Sequence, residues 1–178
     1  MAIKATVYKA ELEIVDMDRN VYETRQLTLA RHPSETDERL MVRVLAFALN
    51  ARERLEFGGG VSESDEPDLW ARDLTGDIEL WIELGHPDPK ILSKAMGRAR
   101  RVVVYAYSAL PERWWGPIRS DFAAAGNLEV HSVSAESAKE LAAMADKSMK
   151  VQCQVQDGEV WFRDDRGNEA RVEIVRLK

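Results

Sequence analysis

The chain has 178 residues, of which 45% are hydrophobic and 31% charged, with one cysteine and a formal net charge of −6. That length fits one domain over residues 1–178, with a sizeable core and no need of disulfide staples. The acidic balance, 25 Lys plus Arg against 31 Asp plus Glu, excludes a protein that coats nucleic acid by bulk positive charge, because phosphate neutralisation needs clustered Lys and Arg. A single local basic patch remains compatible with it.

Cys153 stands alone, so neither an intramolecular disulfide nor a thiolate metal cluster can form. Residues 1–9 lack the apolar core of a signal peptide. No apolar run approaches the roughly 18–20 residues of a membrane span. The expectation is a cytoplasmic protein with no membrane partner.

Residues 4–15 alternate as a strand whose apolar phase shifts midway, from Ala5 and Val7 to Ala10, Leu12 and Ile14, which predicts a bulge near Lys9. Asp16 to Asn20 form a turn, and Val21 to Ala30 return as a second strand that Pro33 stops. Ser34 is the predicted N-cap, with Asp37 three residues on, of a helix over about 35–54. Met41, Val42, Val44, Leu45, Ala48 and Leu49 give it an apolar face. Glu38 falls in line with that face, and a carboxylate there requires a partner, a metal or a cleft.

Gly58-Gly59-Gly60 marks a loop, followed by an acidic connection from Val61 to Glu66. Strands are predicted near 68–73 and 77–84, joined at Thr75-Gly76. In the second, Ile78, Leu80, Ile82 and Leu84 face one way and Asp77, Glu79, Trp81 and Glu83 the other. Asp88 caps a helix over 89–98 with Pro89 at its first position. Residues 101–107 form a covered strand, 111–124 a helix, 128–133 a strand, and 135–145 a helix capped by Ser134. Strands near 149–156, 159–162 and 169–177 close the chain, the first two joined by an Asp157-Gly158 hairpin turn. The pattern predicts an α/β fold with a mixed β-sheet flanked by helices, and extra N- and C-terminal strands that pair with each other.

Charge becomes informative between Glu63 and Asp88, where nine acidic residues meet one base, Arg72. Most such residues form a solvated face. Asp68 and Glu83 stand out because they sit at strand ends, where α/β sheets place ligand sites, and Glu38 because it lies in the apolar stripe of a helix. The three together offer a magnesium site, since hard oxygen ligands suit a hard cation that also takes water and substrate phosphate. Such an ion polarises a phosphoryl oxygen and activates water.

The segments Arg31-His32-Pro33-Ser34-Glu35-Thr36, Asp65-Glu66-Pro67-Asp68, Leu80-Trp81-Ile82-Glu83-Leu84-Gly85-His86-Pro87-Asp88 and Gln156-Asp157-Gly158, with Trp161 nearby, resemble the YaeQ family over nearly the whole chain. That resemblance implies a core, about residues 34–108, similar to the PD-(D/E)XK nucleases and their restriction-endonuclease-like fold. Pro67-Asp68 matches the first half of the motif and Glu83 its second acid. The motif lysine, two residues after that acid, is here Gly85, which removes a group that orients water and stabilises phosphate charge. Lys94 and Lys90 can reach back from the next helix, and Lys94, flanking the apolar face, is the preferred substitute.

Other signals are weaker. His32, His86 and His131 lack metal-ligand spacing and suit capping, loop or packing roles, and no Walker motif is present. Arg98, Arg100 and Arg101 offer a phosphate contact or, equally, a favourable helix C-terminus. Of Trp114 and Trp115, one is expected in the core, and the other would offer a stacking surface if exposed. Two functions follow. One is magnesium-dependent phosphodiester hydrolysis of nucleic acid, with Asp68, Glu83 and Glu38 as ligands or water-orienting base and Lys94 as electrophile. The other is a non-catalytic nuclease-like module that binds nucleic acid or a protein partner in transcription or DNA maintenance, through Arg98, Arg100, Arg101 and Trp115.

Overall fold

A computed structural model describes residues 4–59 and 65–178. In chain order the strands are β1 (Thr6–Asp16), β2 (Val21–Arg31), β3 (Leu55–Phe57), β4 (Leu69–Arg72), β5 (Ile78–Leu84), β6 (Ala99–Ala106), β7 (Leu128–Val133), β8 (Ser148–Gln156), β9 (Glu159–Asp164), β10 (Glu169–Val172) and β11 (Ile174–Arg176). The helices are α1 (Asp37–Asn50), α2 (Pro89–Arg98), α3 (Pro111–Trp115) and α4 (Ala135–Ala142). The result is a mixed α/β fold with two mixed sheets where the sequence suggests one. The backbone falls into two compact units, Met1–Ala51 with Glu136–Glu173, and Arg52–Ala135 with Ile174–Lys178.

The first unit is built on a five-stranded sheet in the order β10-β9-β8-β1-β2. As expected, strands from the two ends of the chain pair: β1 lies parallel to β8 and antiparallel to β2. The expected bulge near Lys9 is absent, because β1 and β2 keep one register from Thr6↔Arg31 to Asp16↔Val21. The apparent phase change arises because Val7 is 54% exposed and Tyr8 takes the inward side, in step with buried Ala10, Leu12 and Ile14. Asp157-Gly158 makes the predicted turn, both residues at positive φ, the conformation of a tight two-residue hairpin. Its two N–H groups donate to the Asp18 carboxylate at 2.8 Å each.

The junction from β2 to α1 delays the helix by two residues relative to the sequence expectation. The Glu35 N–H bonds the His32 carbonyl, and the Glu35 carbonyl accepts two bonds from the Arg31 guanidinium. The chain is therefore still turning at the predicted N-cap. Ser34 contacts His32 Nδ1 at 2.6 Å, and Thr36 caps instead, its hydroxyl accepting from the Arg39 N–H. At the other end α1 stops at Asn50, four residues before the predicted end, and Arg54 at φ 61 turns the chain into β3, a short strand between the predicted helix and the predicted loop.

From Leu40 to Ala48 every residue of α1 is buried, so its apolar pattern belongs to a helix covered on all sides rather than to a one-sided surface helix. Arg43 is buried with it, and pairs with buried Glu35 at 2.6 Å while also donating to the Ala30 carbonyl. Arg19, held on buried Asp16, donates to the Ala48 and Ala51 carbonyls. This supplies partners to the end of a helix whose last turn has no basic residue of its own.

In the second unit the sheet order is β11-β7-β6-β5-β4-β3. β5, β6 and β7 run parallel, and each step between them uses a helical crossover, as parallel pairing requires. The second crossover departs from the predicted long helix. α3 ends after five residues at Gly116-Pro117, and a 3-10 turn over Arg119–Phe122 follows. Pro117 lacks an N–H and its ring obstructs the preceding turn, so the helix cannot continue through it. One core unites Trp70, Trp81, Val102, Val104, Leu128 and Val130 of the strands with Leu92 and Ala95 of α2, and with Trp115 and Phe122 of the second crossover. The predicted strand over 169–177 divides at Glu173, β10 belonging to the first sheet and β11 to the second.

Two outcomes test this packing. Arg43→Met takes the closer of two cations from the buried Glu35 carboxylate, leaving Arg39 at 3.7 Å, and should lower the unfolding free energy by about 1–3 kcal/mol, with Glu35→Gln/Arg43→Met recovering much of the loss; denaturant titration measures both. Burial pushes the Cys153 thiol up to about 12, so at pH 8 the native protein should not react with a disulfide thiol reagent, and reaction should begin only with unfolding.

Candidate functional site

Asp68 lies just before β4 and is 2% exposed. Its N–H donates to the Ile82 carbonyl at 3.1 Å, and its carboxylate Oδ2 accepts from the Leu84 N–H at 2.9 Å. One aspartate therefore grips β5 on both sides of Glu83. A buried carboxylate needs such partners, and these come from a strand edge where the regular ladder has ended. The loop before it is fastened too. Gly58 N–H donates to the Asp68 carbonyl, Gly59 N–H to Glu66, and a β-carbon at Gly58 would collide with the Pro67 carbonyl oxygen.

Glu83 is half-buried near the end of β5, and its Oε1 accepts from the Trp81 indole N–H at 2.8 Å. Trp81 is itself fixed, packed edge-on against Trp70 at 6.0 Å and covered by the Arg98 guanidinium at 5.2 Å. The structure thus draws two of the predicted site residues, Asp68 and Glu83, to the same stretch of β5. Glu38 lies in the first unit, half-buried in the first turn of α1, where a carboxylate also suits the helix dipole. Among the described residues no group of three or more His, Cys, Asp or Glu side chains gathers as a metal site would. Glu63, one of the nine acids, lies outside the described residues.

Lys94 forms an ion pair with Asp65, and this contact holds the Asp65 carboxyl below its usual range. Asp65 is 84% and Lys94 41% exposed, so water screens the pair and the lysine is loosely held. Gly85 occupies the motif-lysine position with φ +84, a left-handed conformation that a residue with a β-carbon resists. Its N–H bonds the Tyr105 carbonyl. The backbone at this place is therefore shaped for glycine, and any cation must come from elsewhere.

The predicted basic group is largely self-neutralised. Arg100 reaches Asp73, Asp77 and Glu79, and Arg101 forks onto Glu129 with bonds of 3.0 and 2.9 Å. Trp115, proposed from sequence as a binding residue, is fully buried and belongs to the core, so it is unavailable to a ligand without unfolding. Trp114 is the half-buried partner. It stacks on His86 with ring planes 1° apart at 5.2 Å and donates its indole N–H to the Pro87 carbonyl. His86 also meets Ser108 Oγ at 2.9 Å through Nε2. Nothing local in the sequence announces Ser108, because 22 residues separate it from its histidine.

The left-handed backbone at Gly85 gives a direct test. Restoring the motif lysine by Gly85→Lys should lower stability by about 1–2 kcal/mol, measured by urea unfolding, because strain and not charge governs the position.

The comparisons with known proteins follow the same lines. The family model described as YaeQ protein matches residues 1–174. The YaeQ protein of Escherichia coli (strain K12) is 43% identical over 169 residues, covering 94% of this chain and 93% of that protein. The YaeQ protein of Salmonella typhi is 44% identical with the same coverage. The crystal structure of YaeQ from Xanthomonas axonopodis pv. citri superposes with a TM-score of 0.93 at 47% identity, over 98% of both chains. That of YaeQ from Pseudomonas syringae gives 0.93 at 37%, over 98% of this chain and 96% of the other. With motif residues, whole-chain sequence similarity and fold in agreement, the chain belongs to the YaeQ family.

Proposed function

We propose that the second unit carries a divergent PD-(D/E)XK-type site for magnesium-dependent hydrolysis of phosphodiester bonds in nucleic acid. The observation that supports it best is the double grip of Asp68 on β5, at residues 82 and 84, which sets two carboxylates at adjacent positions where β4 begins and β5 ends. The order of elements from α1 to β6, helix, three strands, helix, strand, is also the order of a restriction-endonuclease-like core.

The donor chemistry fits magnesium. Asp68 accepts from Leu84 and Glu83 from Trp81; a carboxylate oxygen can accept more than one partner, and magnesium takes one or two carboxylates with water and phosphate. When bound, the ion supplies charge stabilisation to a phosphate oxygen and activates water. The chain's own part is positioning: Trp81 orients Glu83, Asp68 fixes the strand, and Lys94, released from exposed Asp65, meets negative charge on a phosphate.

One observation favours a second reading. The left-handed Gly85 leaves no lysine beside the second acid, which suits a module that binds nucleic acid or a protein without cleaving. The discriminating experiment is calorimetric titration of magnesium into the protein with a phosphorothioate oligonucleotide, alongside a cleavage assay on an ordinary one. Asp68→Asn keeps an acceptor for the Leu84 N–H while removing the charge. It and Glu83→Gln should each weaken magnesium binding at least about tenfold, roughly 1.4 kcal/mol, and abolish cleavage. Absence of metal binding and cleavage in the wild type overturns the hydrolytic reading. Oligonucleotide binding without cleavage supports the second.

A further inference from the structure

The phosphodiesterase reading uses Gly85 and leaves the rest of Gly85-His86-Pro87-Asp88 without a chemical task. Asp88 caps α2 by accepting from the Lys90 N–H, and Pro87 anchors the Trp114 indole. His86 remains, and its one hydrogen-bond partner among the described residues is Ser108, with Nε2 to Oγ at 2.9 Å. We propose that Ser108 and His86 are a nucleophile and its general base, and that they cleave carboxylic esters through an acyl-Ser108 intermediate.

The placement supports this. β5 and β6 are adjacent parallel strands in register at Leu84↔Tyr105, so their carboxyl ends leave the sheet side by side. His86 stands two residues past the end of β5, and Ser108 two past the end of β6. The left-handed turn at Gly85, tied by its N–H to the Tyr105 carbonyl, brings the first strand's exit across to the second. Loops at the carboxyl ends of parallel strands are where α/β sheets hold reacting groups.

The histidine is oriented as a base must be. In a Ser–His–Asp triad a carboxylate on the far ring nitrogen fixes the imidazole. Here Trp114 restricts the plane of the ring by stacking, at 5.2 Å with planes 1° apart, and leaves the tautomer to the Ser108 contact. The indole is in turn locked to Pro87, the residue beside the histidine, by a 2.9 Å bond. With its proton on Nδ1, the neutral ring accepts the Ser108 hydroxyl at Nε2. Partial desolvation beside the Trp114 ring pushes His86, still open to solvent on its other side, below its ordinary value. Hydrogen-bond contact between nucleophile and base is the geometric requirement for activating a serine. Leu110, two residues past Ser108, is 53% exposed and gives the acyl portion of an ester an apolar surface.

The reaction balances with water alone. As Ser108 Oγ bonds to the ester carbonyl carbon, His86 Nε2 takes the hydroxyl proton. Collapse of the tetrahedral adduct breaks the carbon–oxygen bond to the alcohol, which leaves with that proton. Water then attacks the acyl-serine, giving its proton to His86, and the acid departs as Ser108 recovers a proton.

The test uses the whole protein with two probes, p-nitrophenyl acetate for turnover and a fluorophosphonate for covalent labelling, with the labelled peptide located by mass spectrometry. Wild type should hydrolyse the ester and carry the label on Ser108. Ser108→Ala should lose the label and the turnover above the uncatalysed rate. His86→Gln should label at least about tenfold more slowly, as loss of a general base requires. Ser108→Ala removes only a hydroxyl, so it stays decisive if His86→Gln lowers the melting temperature. No label on wild-type Ser108, or equal turnover by wild type and Ser108→Ala, overturns the proposal. Neither result bears on the magnesium site, whose variants are Asp68→Asn and Glu83→Gln.

Discussion

An aspartate buried to 2% exposure cannot be left without partners, and Asp68 finds them on the backbone of β5. Its N–H and its Oδ2 take the Ile82 carbonyl and the Leu84 N–H, so a side chain continues a strand ladder where main-chain pairing stops. The consequences spread to the neighbouring strand ends. Glu83 is held between the two anchor points, and β5 ends in a defined way before Gly85. The exit of β5 is then fixed relative to β6, whose Tyr105 carbonyl receives the Gly85 N–H. Both the carboxylate pair and the His86–Ser108 contact stand on that local geometry.

The first unit uses charge in a comparable way, to terminate a helix that has no polar face to spare. α1 is buried from Leu40 to Ala48, and side chains from outside the helix meet the unsatisfied groups at its ends. Thr36 caps the start, and Arg31 ties the preceding turn to Asp37 and to Tyr8. At the end, Arg19 is lent by the β1–β2 turn and is itself oriented by buried Asp16. The stretch Arg31 to Thr36, one of those that carry the family resemblance, is therefore accounted for by strand-to-helix joining. Its histidine contacts a serine two residues on, and its glutamate neutralises Arg43 inside the unit. A recognisable motif here reports architecture, with no reaction required to explain it.

Much of this architecture was legible in the sequence, and the failures have identifiable causes. β7 and α2 fall where apolar periodicity and the Asp88-Pro89 cap put them, and Asp157-Gly158 dictates its turn through two positive φ angles. Three elements went astray, each for its own reason. Tyr8 counts as inward although its hydroxyl reads as polar, which created a false bulge. α1 starts late because Arg31 holds the Glu35 carbonyl. α3 stops at Gly116-Pro117, a local signal outweighed by the apolar pattern beyond it. The division of the strands into two sheets depends on the pairing of β1 with β8, more than a hundred residues apart, and no window of sequence carries that. At the site, the strand positions of Asp68 and Glu83 were visible, but the commitment of each carboxylate, the Lys94–Asp65 pair and the Ser108–His86 contact all arise from three-dimensional proximity.

The charges argue about function as much as the motif does. A nucleic-acid surface requires cations free to replace counterions, and the arginines after α2 are mostly spent on neighbouring acids: Arg100 on three carboxylates, Arg101 on Glu129. Lys94 differs in kind, because its partner Asp65 is open to solvent, and a phosphate with more charge than one carboxylate can compete for it. Strong phosphate affinity would therefore come from exchange at this lysine together with a cation at the paired acids, and not from a standing basic surface. On the proposed reading, nucleic-acid binding through this unit would depend on magnesium as well as on salt. The glycine in the lysine position is itself a backbone requirement of the β5 exit, where φ is +84, so on the proposed reading the charge would have to come from the helix that follows.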